Sequence, residues 1–166
     1  MTATIPNNNK AIELLNDILS INNERINGYQ KVLDQSASIS TDLREEILKI
    51  ISDGLTYREQ LIEKIGALNN ETAVGTSVRG KIFRAWADLK VAFALKTQKA
   101  IISSCRYNEE IVMHTYNAAL IQDVEMSVDV RQLLEDQKMN LRRIHNRLRK
   151  YIETRFVEEQ SLVYFN

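Results

Sequence analysis

Residues 75–120 read GTSVRGKIFRAWADLKVAFALKTQKAIISSCRYNEEIVMHTYNAAL. Ser77 offers an N-cap for a helix reaching about residue 95. Within it Ile82, Trp86, Leu89 and Phe93 recur at steps of three and four, a helical apolar face. At 1.5 Å per residue, about 18 residues cover about 27 Å, the length of a helix bundle. A connection of that length carries the chain from one end of a bundle to the other, so the helices on either side of it run parallel. Thr97 recaps a further helix, with one bent helix through this point as the alternative. The stretch therefore predicts a bundle with one long helical crossover.

Working outward, four more amphipathic segments build the bundle. The first follows Pro6, with Asn7, Asn8 and Asn9 as caps, and its seam is Ile12, Leu15, Leu19, Asn22, Ile26, Tyr29 and Leu33. Gly28 lies inside it and reads as a point where a neighbouring helix approaches closely. The second starts at Ser40 or Thr41 with Asp42, Glu45 and Glu46 favourable to its dipole, and its seam is Ile47, Ile51, Gly54, Arg58, Leu61, Ile65 and Leu68. The third carries Ile102, Arg106, Glu109, Met113, Tyr116 and Leu120. The last, after Ser127, carries Val130, Leu134, Gln137, Leu141, Ile144, Leu148 and Ile152. The expected organisation is a single all-α domain over residues 1–166, with helices at about 8–35, 41–69, 77–95 (the crossover), 98–121 and 128–157.

Composition narrows the function classes. Five Gly and one Pro in 166 residues leave little to interrupt helices. Lys+Arg and Asp+Glu are both 22, and this balance weighs against a dedicated nucleic-acid binder. No run approaches the roughly 20 apolar residues of a membrane span. The first residues show neither the basic nor the apolar region of a signal peptide, and the one cysteine, Cys105, has no internal disulfide partner. A reducing cytoplasm is the expected setting.

Polar residues interrupt each seam near its middle: Asn22, Arg58, Arg106 with Glu109, and Gln137. One reading is a buried hydrogen-bonded and ion-paired layer that fixes helix register. The other is the remnant of a metal site. Di-iron bundles use a Glu from each of two helices and Glu-x-x-His from the other two, because that spacing puts carboxylate and imidazole on one face. Here His114 and His145 do not stand three residues after a Glu. Glu110 and His114, four apart, share a face, whereas an Arg at the seam repels a cation. No metal or other cofactor is expected; if a divalent ion such as iron binds, the candidates are Glu109, Glu110, His114 and Gln137. On the last helix, Lys138, Arg142, Arg143, Arg147, Arg149, Lys150 and Arg155 with His145 read as a solvated face paired with acids of the first two helices. Sending them to phosphates is the weaker alternative. Trp86 with Phe83 and Phe93 gives the crossover helix a second face to cover, and a homodimer through it is expected.

The runs Gly75-Thr76, Gly80, Arg84-Ala85-Trp86 and Leu89-Lys90, then Cys105, Glu109-Glu110, Tyr116 and Ala119-Leu120, carry a resemblance. So do Asn22, Gly28-Tyr29, Val130-Arg131, Gln137 and His145. With these the chain resembles an uncharacterised bacterial family of small ferritin-like four-helix bundles, a domain of unknown function. The resemblance implies a ferritin-like bundle, and soluble roles linked in some members to stress, without a defined activity. Arg106 and Asn27 stand where many members carry acids, which removes carboxylates from any inherited metal site. The function expected is that of a non-catalytic structural or interaction protein; the alternative is a metal-binding, di-iron-like protein with a degenerate site.

Overall fold

The computed structural model describes residues 8–35, 39–69 and 97–163. They form four helices: α1 (Asn9–Gln35), α2 (Thr41–Asn69), α3 (Gln98–Ile121) and α4 (Val128–Val163). The crossover expected at 77–95, with Trp86, lies outside the described residues, and so do residues 164–166.

The helix starts follow local chemistry. The Thr97 hydroxyl accepts from Ala100 N at 3.3 Å from an extended backbone, so Thr97 caps α3. The Ser40 carbonyl takes the Arg44 amide at 3.0 Å, and the Ser127 carbonyl takes that of Arg131 at 3.0 Å. Asp129, in the first turn of α4, accepts from Lys64 of α2 at 2.6 Å. That bond, with one from Ser127, lowers the Asp129 pKa to about 2. At its other end α4 runs on to Val163, beyond the expected stop near residue 157.

The core has two apolar compartments. One joins the first half of α1 (Ile12, Leu15, Ile18) to the second halves of α2 and α3 (Leu61, Ile65, Tyr116) and the start of α4 (Val130, Leu134). The other joins Tyr29 and Val32 of α1 to the starts of α2 and α3 (Leu43, Ile47, Ile102) and to Ile144 and Leu148 of α4. This pairing sets every direction. α1 is antiparallel to both α2 and α3, α4 is antiparallel to both α2 and α3, and α2 and α3 run parallel. The main packing is α1 on α2 and α3 on α4. Because α2 ends and α3 begins at opposite ends, the chain must pass from one end of the bundle to the other between Asn69 and Thr97. The four-helix, all-α architecture and this topology agree with the sequence reading.

Three seams depart at some positions from those expected. In α2 the inward position after Gly54 is Tyr57, with Arg58 at the half-buried edge. In α3 Cys105 and Val112 face inward, and Arg106 and Met113 lie at the edge. A step of three or of four from the preceding seam residue satisfies a 3.6-residue period equally, so the period alone does not choose between neighbours, and packing against the other helices decides. In α1, Ile18, Arg25 and Val32 are buried, while Leu19 and Leu33 are half-buried. The basic face of α4 also pairs differently. Among the described residues, Arg147 binds Glu46 at 2.7 Å and Arg155 binds Asp42, both on α2, and Lys138 and Arg149 bind Glu135 and Glu153 of α4 itself. None of these acids is on α1. Geometry explains this: α4 packs against α2 and α3, not against α1.

At Gly54 side chains of α1 lie against the α2 backbone. A Cβ there would stand 2.8 Å from Ile26 Cγ1 and 3.2 Å from Arg25 Nη1. The bare backbone also leaves its carbonyl within 2.7 Å of Asn22 Nδ2, a hydrogen bond out of the helix ladder.

Candidate functional site: a buried polar belt

The compartments meet at one level of the bundle, and all four helices put polar groups there. α1 supplies Asn22 and Arg25, α2 Asp53 and the Gly54 carbonyl, α3 Asn108 and Glu109, and α4 Asn140. At its centre Glu109 has no solvent exposure and Arg25 has 1%. Arg25 donates from Nε to Glu109 Oε1 at 2.6 Å and from Nη2 to Oε2 at 3.3 Å, a two-pronged pairing. Tyr29 O–H donates to the same Oε1 at 2.8 Å, and its ring lies 5.7 Å from the Arg25 guanidinium carbon. The carboxylate thus takes three donors from α1.

The belt extends to the other helices. Asn140 donates to the Tyr57 hydroxyl and, at 3.4 Å, to Asp53 Oδ2. Deeper in the first compartment, Tyr116 O–H donates to Gln137 Oε1 at 2.7 Å, and Gln137 Nε2 donates to Gln60 Oε1 at 3.0 Å. The belt therefore ties α1 to α2 and α3, and α4 to α2 and α3. Three buried polar atoms in it have no partner: Arg25 Nη1 and both amide atoms of Asn108.

The electrostatics are those of a closed interior. Burial alone would lower the Arg25 pKa, and the Glu109 carboxylate reverses this, so the net shift is upward and the guanidinium stays charged. Burial, then Glu109, raises the pKa of Tyr29 far above the ordinary phenol value, and the same two causes raise that of the Cys105 thiol. Burial likewise raises Tyr116. Cys105 is held as a neutral thiol, and a thiol is a poor nucleophile. Glu109 is cut off from solvent and accepts hydrogen bonds only from Arg25 and Tyr29 among the described residues.

The sequence-expected site residues do not meet in one place. Glu109 and Gln137 are interior and separately bonded. Glu110 and His114 lie on the exposed side of α3, beside a groove that His145 of α4 also lines. Among the described residues no group of three or more His, Cys, Asp or Glu side chains is placed to hold a metal ion. Sequence reasoning missed Asp53, Asn108 and Asn140, and at the belt's centre Arg25. Its signal was present: Arg25 falls on the row Ile18, Asn22, Arg25, Tyr29, Val32, a seam as regular as the one through Leu19 and Leu33.

The family match covers the elements that build the belt's centre. A family model described as a domain of unknown function, DUF2383, matches residues 10–123, which hold nearly all of α1 and the whole of α2 and α3. The chain belongs to the DUF2383 family. Arg25, Tyr29, Gly54 and Glu109 all fall within the family's span, while Gln137 and Asn140 of α4 lie beyond it. No curated protein matches the chain. Among the described residues no helix is long and apolar enough to cross a membrane.

Proposed function

We propose that this protein is a non-catalytic, cytoplasmic structural or interaction protein, a ferritin-like bundle whose midsection is closed by its own side chains. The observation that carries this reading is the Arg25–Glu109 pair. A buried carboxylate needs a compensating positive charge, and a metal ion or a guanidinium can supply it. Here Arg25 fills that role from within the chain, and its like charge opposes a cation at the same carboxylate. A part in stress physiology rests on the family resemblance alone. The test is calorimetric titration with Fe(II), Mn(II) and Zn(II) of protein purified without chelator. The expected result is no saturable binding. Stoichiometric binding that persists in Glu110→Gln and His114→Asn variants would overturn the reading, since it would place the ion on the interior carboxylate.

An interaction protein needs a surface, and the surface expected around Trp86 lies outside the described residues. On α2, Leu48, Leu55 and Ile62 are 51%, 36% and 52% exposed and stand seven residues apart, one row on one helix face. A second copy fits this row. With two α2 helices antiparallel about Leu55, Leu48 of each lies opposite Ile62 of the other, and Lys49 of each comes beside Glu63 of the other. Both charged residues are exposed, and neither joins an ion pair among the described residues. We therefore assign homodimerisation to α2. Sedimentation should show a concentration-dependent dimer, lost in Leu55→Glu and in Lys49→Glu, and regained in Lys49→Glu/Glu63→Lys. A monomer at every concentration, or a dimer indifferent to Leu55→Glu, would overturn the assignment.

A further inference from the structure

Outside the belt, α3 and α4 enclose an open groove of about 160 Å3. Its walls are two facing rows: Glu110, His114 and Asn117 on α3, and Lys138, Arg142 and His145 on α4, over Met113. The Tyr116–Gln137 hydrogen bond fixes the antiparallel register of these helices. In that register Asn117 faces Lys138, His114 faces Arg142, and Glu110 faces His145. The groove is therefore polar along its length. Its acid sits at one end, about 10 Å along the axis from Asn117. Towards the other end an ammonium, a guanidinium, an imidazole and a carboxamide line the groove, from Lys138, Arg142, His114 and Asn117. Lys138 is shared with Glu135 at 3.0 Å, while Arg142 joins no ion pair or hydrogen bond among the described residues.

We propose that this end of the groove binds a small phosphate-bearing molecule. A guanidinium without an acid partner, beside an ammonium that shares a single carboxylate, is stabilised by an anion that both can reach. A phosphate suits them because its several oxygens accept from donors arriving from different directions, and Arg142 can take two of them at once. The volume equals about five water molecules, room for a phosphate with a short substituent. Glu110 opposes a second negative group and limits the ligand to one anionic end. The site is separate from the Arg25–Glu109 belt, and its failure would leave the reading of the belt untouched.

The chain has two histidines, and both line the groove, so their imidazole NMR signals report on it without interference. The experiment titrates the whole protein with inorganic phosphate at constant pH and ionic strength, with chloride as the balancing ion. The expected result is saturable movement of both imidazole signals, weakened about tenfold in Arg142→Gln and again in Lys138→Gln. Both side chains reach the surface, so these variants should keep the wild-type fold, and the backbone amide spectrum checks this. Unsaturable movement equal to that produced by chloride, or saturation unchanged in Arg142→Gln, would overturn the proposal.

Discussion

Glu109→Ala should lose about 3–5 kcal/mol of folding free energy in urea unfolding, because it leaves the Arg25 guanidinium charged and unpaired in the interior. Arg25 does not escape by losing its proton, because a guanidinium keeps its charge even where burial disfavours it. Tyr29 loses its acceptor in the same variant. Arg25→Met should cost a similar amount through the opposite orphan, a carboxylate with one phenol left to hold it. Losses under about 1 kcal/mol in both would mean that the pair is solvated or dispensable, contrary to its burial.

The second large effect concerns one methyl group. In an ordinary helix Gly→Ala gains up to about 1 kcal/mol. At Gly54 the added Cβ meets Ile26 Cγ1 at 2.8 Å, a methylene attached directly to the branched Cβ, which cannot swing aside like a chain end. Separating the helices would also stretch the Asn22 hydrogen bond to the Gly54 carbonyl. Overpacking of this kind costs about 1–3 kcal/mol, so Gly54→Ala should be net destabilising by about 1–2 kcal/mol. Gly66 is the internal control. It lies on the same helix with nothing within 4 Å of an added Cβ, and Gly66→Ala should stabilise. Equal effects at the two glycines would show that helix propensity governs both positions, and that α1 and α2 do not depend on close approach.

Much of the fold was legible because it rests on local rules. The α4 seam was legible from Val130 to Leu148: its steps of three and four fall on Val130, Leu134, Gln137, Leu141, Ile144 and Leu148, all buried. The starts of α2, α3 and α4 were legible from Ser40, Thr97 and Ser127. Arg58 and Tyr57 were harder. Both satisfy the period after Gly54, and only packing against the other helices makes the ring the inward one. Arg25 was the least legible. Arginine is a surface residue unless paired, and its partner lies 84 positions away on a helix that is adjacent only in the folded chain. The buried layer was foreseen through Asn22, Glu109 and Gln137. Its charge balance was not, since Arg58 and Arg106 drew attention from the arginine at the centre.

The measurement that most directly tests the belt as a structural closure is the stability of Arg25→Met/Glu109→Leu beside its two single variants. Replacing both members of a buried pair by apolar groups of similar volume removes the charges without orphaning either. The double variant should return to within about 1 kcal/mol of the wild type, or exceed it, with a large coupling energy in the cycle. A double variant that loses the sum of the two single losses would contradict the account. Arg25 and Glu109 would then act independently, and the interior carboxylate would need a purpose other than holding the helices together.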